Sequence, residues 1–201
     1  FKKFFDSQEI IIGSTDFSHS GGRIVKYNKD NFLITVSDHA LMDNYKKFIK
    51  KMNSKVSIIG KTIMINENEY KIFSYGHRNP QGIMELNGKI IETEHGPFGG
   101  DEINLIEHKN NYGWPIITYG KNYNGTTISE FDHKTGMEQP VFYWNPSTAV
   151  CGIDFYRGEL FPKWNNKLLV GALKYEDLRV LNIENDRVMH EEIILKGAGR
   201  V

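Results

Sequence analysis

The segment that decides the fold is residues 82–93, which read GIMELNGKIIET. Two apolar runs, at 82–86 and 89–93, flank the dipeptide Asn87-Gly88. Asn-Gly between apolar runs is the strongest short-range signal for a β-hairpin, because both residues accept the positive φ angles of a tight turn. The segment therefore predicts two antiparallel strands joined by a two-residue turn.

The same pattern of strand, polar turn and strand recurs on both sides of this hairpin. It is found at residues 24–36, 152–172 and 177–190. Glycines at 22, 82 and 152 precede or open three of these units, and they are 60 and 70 residues apart. That spacing is wider than a compact blade repeat of about 40–50 residues, and long loops between strands account for the excess. The pattern favours an all-β fold, a β-propeller with irregular blades. Spacing alone leaves a β-sandwich as the alternative.

One segment departs from the β pattern. Between Asp38 and Val56, apolar residues recur at helical spacing among five lysines, which predicts one excursion helix. A basic amphipathic helix of this kind binds membranes or an acidic partner in some proteins. An ordinary helix with a solvated lysine face is the favoured interpretation, because the chain as a whole is neutral.

Composition limits the classes of function. The chain has 201 residues with 25 Lys and Arg against 25 Asp and Glu, so its formal net charge is zero. This balance argues against nucleic-acid binding, which normally needs a basic stripe. No apolar run approaches the ~20 residues of a membrane helix, so no membrane span is predicted. Cys151 is alone in the sequence, which leaves no intrachain disulfide.

Polar residues and glycines concentrate in stretches at predicted strand ends, where loops on a rigid β scaffold usually carry function. These stretches are residues 16–23, 76–82 and 94–104. The first contains His19, a candidate general base because imidazole titrates near neutral pH. Taken alone, His19 is better explained as a histidine hydrogen-bonded to a turn.

The other two stretches contain candidates for ligand binding. Only six of the 25 basic residues are arginine, and Arg78 heads the run Arg78-Asn79-Pro80-Gln81. A guanidinium fork beside two amides suits a planar ligand with carboxylates or carbonyls. An arginine paired with a structural carboxylate is an equal alternative. The carbonyls of Gly96 and Pro97 are candidates to face Ca²⁺, which prefers oxygen ligands, although the dipeptide alone is better explained as a turn.

Together these stretches are far more specific than any one of them. Residues 74–82 (SYGHRNPQG), 93–106 (TEHGPFGGDEINLI) and 111–115 (NYGWP) closely resemble the soluble pyrroloquinoline-quinone (PQQ)-dependent sugar dehydrogenases, in particular the aldose sugar dehydrogenases. The resemblance extends from about residue 19 to the C-terminus. That family folds as a six-bladed β-propeller. The resemblance therefore implies that residues 1–201 form a single domain, an internal fragment of that propeller and a partial arc of about three to four blades.

The resemblance also implies a role for each matching residue. His19 matches the catalytic base that takes the proton of the sugar C1 hydroxyl while hydride passes to the quinone. Residues that match contacts to PQQ are Arg78, Asn79, Gln81, Lys174 and Arg200. Gly96 and Pro97 match the carbonyls that hold Ca²⁺ on the quinone, and Glu102 and Tyr112 match a second, structural calcium site.

The implied function is oxidation of the C1 hydroxyl of aldoses to lactones, with electrons passed to an acceptor that the sequence does not identify. The family suggests a periplasmic or secreted location and allows a homodimer of the full-length protein. Two alternatives stay open: a non-catalytic propeller module that binds a protein or glycan, and an incomplete, inactive piece of the enzyme. Retention of His19, Arg78 and Lys174 together favours the enzyme.

Overall fold

A computed structural model describes residues 19–39, 49–50, 53–55, 57–197 and 199. Within these residues the fold is all-β and consists of three antiparallel sheets of four strands each. This confirms the predicted β architecture and an arc of three blades. The predicted lysine-rich helix lies largely outside the described residues, as do Arg200 and the first 18 residues.

The strands follow the chain in order, four to a sheet. Sheet 1 contains β1 (Gly21–Lys26), β2 (Phe32–Val36), β3 (Lys61–Ile65) and β4 (Tyr70–Tyr75). Sheet 2 contains β5 (Pro80–Leu86), β6 (Lys89–Glu94), β7 (Asp101–Ile106) and β8 (Phe142–Trp144). Sheet 3 contains β9 (Val150–Tyr156), β10 (Lys167–Ala172), β11 (Asp177–Glu184) and β12 (Arg187–Lys196), with a short 3-10 helix, Pro162–Trp164, between β9 and β10. Each sheet is a simple meander in which sequential strands pair.

The hairpin at residues 82–93 forms as predicted. Leu86 pairs with Lys89 across the turn, and Asn87 and Gly88 have φ angles of 53° and 82°. Pairing of β1 with β2, β9 with β10 and β11 with β12 confirms the other predicted units. Local turn chemistry is sufficient for these pairs because their strands are adjacent in sequence.

The first strands of the three sheets lie side by side, with β5 between β1 and β9. Gly82 shows how closely two of them approach, because a Cβ atom there would lie 2.6 Å from the Cys151 carbonyl oxygen of β9. The glycines that the sequence places at 22, 82 and 152 thus belong to the first strand of each blade.

The hydrophobic core includes two layers, one between sheets 1 and 2 and one between sheets 2 and 3. Neighbouring residues of β6 point in opposite directions, as in any strand. Ile90 packs with Leu33 and Phe73 of sheet 1, while Ile91 packs with Leu168 and residues of sheet 3. The middle sheet is therefore buried on both faces. This arrangement is that of consecutive propeller blades and replaces the β-sandwich alternative.

No helix among the described residues is long and apolar enough to cross a membrane.

Candidate active site

One edge of the arc collects the chain segments that the sequence singled out. In an antiparallel meander the N-terminal ends of odd-numbered strands and the C-terminal ends of even-numbered strands share an edge. Residues 19–20, 37–39, 76–79, 95–100, 145–149 and 173–176 all lie at such ends. The topology therefore brings His19, Arg78, Gly96 and Lys174 to the same edge, which we call the site edge.

Arg78 links several of these segments. Its side chain is buried, and Nη1 donates hydrogen bonds to the carbonyl oxygens of His95 (2.9 Å) and Gly96 (2.7 Å). Nη2 lies 3.3 Å from His19 Nε2, and the guanidinium carbon lies 5.4 Å from the centre of the Trp114 ring. The guanidinium Nε is buried and makes no hydrogen bond. Arg78 is thus positioned by backbone oxygens and an aromatic face.

His19 forms a pair with Asp38, a residue that sequence reasoning did not assign to the site. His19 Nδ1 lies 2.7 Å from Asp38 Oδ1, and Asp38 is fully buried at the end of β2. The second carboxylate oxygen accepts a hydrogen bond from Trp114 Nε1 at 3.0 Å. The carboxylate therefore holds the proton on Nδ1, which leaves Nε2 as the proton acceptor of the ring.

Asn79 and Gln81 contact each other rather than Arg78. Asn79 is buried, and its Oδ1 accepts a hydrogen bond from Gln81 Nε2 at 2.8 Å. Its Nδ2 lies 3.5 Å from His95 Nδ1. Burial lowers the pKa of His95, and the positive charge of Arg78 lowers it further. His95 therefore provides a neutral, polar wall beside the two amides.

The loop at residues 95–100 is shaped by glycine and held by Asp101. A Cβ atom on Gly96 would lie 2.2 Å from the Gly100 carbonyl oxygen, so only glycine fits the turn. Asp101 Oδ1 accepts a hydrogen bond from the Gly96 amide at 2.9 Å. Asp101 Oδ2 accepts from the amides of Thr148 (2.9 Å) and Ala149 (2.6 Å), which directly precede β9 of sheet 3. One buried carboxylate thus ties this loop to the next blade.

Lys174 reaches the same loop through Ser147. Its side chain is exposed, and Nζ donates a hydrogen bond to the Ser147 carbonyl oxygen at 3.1 Å. The Ser147 hydroxyl in turn donates to the Pro97 carbonyl oxygen at 3.2 Å. The structure therefore brings Lys174 and Pro97 together through one residue that sequence reasoning did not assign to the site.

Glu102 and Tyr112 line a small cavity of about 10 Å³ together with Arg78, Gly96 and Pro97. Space of this size is about that of one water molecule or ion. Burial and the neighbouring Glu94 raise the pKa of Glu102 to about 8. The Tyr112 hydroxyl donates to the Leu105 carbonyl and accepts from the Glu107 amide at 2.8 Å. The Tyr112 hydroxyl is thus held by two backbone groups, and its main-chain carbonyl is the candidate cation ligand.

Sequence reasoning missed Asp38 and Ser147 because neither lies in a motif with His19 or Lys174. Asp38 is 19 residues from His19, and the β1–β2 pairing brings them together. Trp114, interpreted from sequence as a packing residue, is indeed buried. It also contacts Asp38 and Arg78, a role for which the sequence carries no signal.

Known proteins of similar sequence include sugar dehydrogenases. The model of the Glucose / Sorbosone dehydrogenase family matches residues 2–201. The aldose sugar dehydrogenase YliI of Escherichia coli K12 is 37% identical over 196 residues, which cover 91% of this chain and 53% of YliI. Quinoprotein glucose dehydrogenase B of Acinetobacter calcoaceticus is 33% identical over 104 residues, covering 51% of this chain and 21% of that protein.

Solved structures of similar fold include aldose sugar dehydrogenases. The apo-form of the soluble aldose sugar dehydrogenase from Escherichia coli superposes with a TM-score of 0.79 at 34% identity, covering 88% of this chain and 55% of that structure. The PQQ-bound aldose sugar dehydrogenase from Streptomyces coelicolor has a TM-score of 0.68 at 21% identity, covering 90% of this chain and 51% of that structure. The second likeness concerns the fold alone. This chain spans about half the length of YliI.

Proposed function

The chain belongs to the glucose and sorbosone dehydrogenase family, and on that premise we propose that this protein oxidises the C1 hydroxyl of aldoses to lactones with PQQ as hydride acceptor. One observation carries the proposal: the His19–Asp38 pair lies against Arg78, which also binds the Gly96 carbonyl. A base, a cation and main-chain oxygens therefore share one edge. Relatives named as an aldose sugar dehydrogenase and a quinoprotein support the same activity.

His19 is the proposed general base. Its Nδ1 proton is directed at the buried Asp38 carboxylate, so Nε2 carries the lone pair that accepts the sugar C1 hydroxyl proton. Asp38 also stabilises the imidazolium that forms, as the buried carboxylate does in other acid–histidine pairs. Arg78 Nη2 can only donate, so its position 3.3 Å from Nε2 is consistent with an unprotonated Nε2 in the resting site.

Arg78 and Lys174 are the cations proposed to hold the carboxylates of PQQ, with Arg200 beyond the described residues. The residues present fit such a ligand, because Arg78 Nε is a buried donor without a hydrogen bond and Lys174 is an exposed cation at the same loop. The Asn79 and Gln81 amides would contact the ring system. When bound, PQQ supplies the electrophilic quinone carbon that accepts the hydride.

Two calcium sites belong to the same proposal. The Gly96 and Pro97 carbonyl oxygens each accept one hydrogen bond in this structure, and a carbonyl has a second lone pair for a cation. Glu102 and the Tyr112 carbonyl would hold a structural Ca²⁺ in the small cavity. Burial and the neighbouring Glu94 raise the pKa of Glu102 by making its charged form costly, and a bound cation would offset that cost.

The test is dye reduction by the full-length protein that contains this chain, loaded with PQQ and CaCl₂ and supplied with glucose and other aldoses. We expect turnover. In a His19→Asn variant the turnover rate should fall about 10²–10⁴-fold, while the affinity for PQQ changes little. His190→Asn, an exposed histidine on β12, is the matched control and should keep wild-type turnover.

The results separate the alternatives. Turnover that survives His19→Asn nearly intact rules out His19 as the base. Full-length protein without turnover on any aldose points to the non-catalytic module. Turnover in the full-length protein and none in residues 1–201 supports the inactive-piece interpretation. A periplasmic or secreted location is part of the same proposal, and cell fractionation checks it.

A further inference from the structure

A second polar cluster lies under the site edge, where sheet 1 meets sheet 2. It consists of His77, which follows β4, and Glu92 and Glu94, which are two residues apart on the same face of β6. His77 and Glu92 are fully buried and Glu94 is 4% exposed. Ionisable side chains are rarely buried without a compensating charge, so this cluster needs an explanation.

The three ligand atoms have the spacing of a metal-coordination shell. His77 Nδ1 lies 3.1 Å from Glu92 Oε1 and 3.6 Å from Glu94 Oε2, and all three atoms lie within 4.8 Å of one another. Metal–ligand bonds of about 2.1 Å at tetrahedral or octahedral angles separate ligand atoms by roughly 3.0–3.5 Å. The side chains therefore need little movement to share one ion.

Two of the three atoms that would bind the ion make no hydrogen bond, and the third, Glu94 Oε2, accepts one from the Arg78 amide at 3.1 Å. His77 Nδ1 and Glu92 Oε1 are buried and make no hydrogen bond. The atoms on the far sides are engaged: the Ser74 hydroxyl lies 2.8 Å from His77 Nε2, and the Thr62 hydroxyl donates to Glu92 Oε2 at 3.2 Å. Metal-binding histidines and carboxylates are typically oriented by such outer hydrogen bonds.

Charge is consistent with a divalent cation. Two carboxylates and a neutral imidazole balance a charge of +2, and an imidazole nitrogen favours a first-row transition ion over Ca²⁺. Without an ion, His77 Nδ1 and Glu92 Oε1 face each other at 3.1 Å, and a bound cation would replace this direct contact.

We infer that His77, Glu92 and Glu94 bind one first-row transition cation, with Zn²⁺ as the model ion, in a buried structural site. The site links the end of β4 to β6 and so joins two blades. It is distinct from the proposed calcium sites in its donors, because it uses an imidazole nitrogen and neither Glu102 nor a main-chain carbonyl.

The test measures metal in the full-length protein that contains this chain. After dialysis against EGTA, which removes Ca²⁺ and Zn²⁺ alike, and then into EGTA-free buffer, we expect the protein to take up about one equivalent of Zn²⁺ on titration with ZnCl₂. Substitution with Co²⁺ should give visible d–d absorption bands. Both signals should fall at least tenfold in His77→Gln and in Glu92→Gln. They should persist in His190→Gln, an exposed-histidine control.

A folded, EGTA-treated protein that takes up neither Zn²⁺ nor Co²⁺ would overturn the inference and leave a proton-bridged ion pair. Uptake that persists in His77→Gln would also overturn it. If the variants at buried residues do not fold, X-ray absorption spectroscopy on the Zn²⁺-loaded wild-type protein identifies the ligands of the ion. One imidazole among oxygen ligands is expected, and two or more imidazoles, or none, would exclude this cluster.

Discussion

The two edges of the arc use polar side chains in opposite ways. At the edge formed by the hairpin turns, Asn28 Oδ1 accepts hydrogen bonds from the amides of Asp30 and Asn31, and Asn66 Oδ1 from those of Asn68 and Glu69. These partners are two or three residues apart and exposed. We call this the turn edge.

At the site edge the partners are distant in sequence and buried. Trp114 donates to Asp38, 76 residues away, and Asp101 accepts from Thr148, 47 residues away. A buried hydrogen bond to a charged group is worth about 1.5–3 kcal/mol, whereas exposed turn contacts are worth less. Matched substitutions on the two edges should therefore differ in the size of their effect and in the property they change.

The largest difference is expected between Asp38→Asn and Asp30→Asn. The first substitution removes the carboxylate that holds His19, so the proposed turnover of the full-length protein loaded with PQQ should fall by at least about 100-fold. The second lies in an exposed turn and should leave turnover unchanged. Steady-state dye reduction measures both. Equal rates in the two variants would remove Asp38 from the proposed mechanism.

A smaller effect, on stability, is expected from Asp101→Asn. The substitution exchanges a buried carboxylate that accepts from Gly96 and from two amides of the next blade for a neutral amide. We expect the free energy of unfolding in urea to fall by about 2–4 kcal/mol. Asp186→Asn is the control, because its exposed ion pair with Lys89 should contribute less than about 1 kcal/mol. Similar losses of unfolding free energy in both variants would contradict the proposed difference in strength between the polar contacts of the two edges.

The smallest effects come from the same substitution at two glycines. Gly88→Ala should cost only about 1 kcal/mol, because φ is 82° but a Cβ atom meets no neighbour within 4 Å. Gly96→Ala places a Cβ atom against the Gly100 carbonyl and must shift the loop. It should raise the Kd for Ca²⁺ about tenfold, which calorimetry can measure, while Gly88→Ala should not. Unchanged calcium affinity in Gly96→Ala would contradict the proposal that this loop binds Ca²⁺.

Much of the turn edge could be predicted from sequence. The Asn87-Gly88 turn and the register of β5 with β6 follow from residues that are neighbours in the chain. The β1–β2 and β11–β12 pairs follow in the same way. The predicted helix between residues 38 and 56 is largely untested, because it falls outside the described residues.

The site edge could be predicted only in part. Motif resemblance selected His19, Arg78, Gly96, Pro97 and Lys174, and the structure brings them to one edge, although their roles in catalysis and binding stay predictions. Asp38 and Ser147 carried no local signal. The grouping of His77, Glu92 and Glu94 likewise depends on how β4 and β6 meet.

The sequence by itself determined the all-β class, the hairpin turns and the family, since each depends on residues that are close in the chain or on the motifs themselves. Only the tertiary structure decided which carboxylate faces His19, which serine joins Pro97 to Lys174 and which carboxylates surround His77. The physical reason is that these contacts join residues distant in the chain: strand pairing within sheet 1 brings Asp38 to His19, and packing between blades makes the other two contacts.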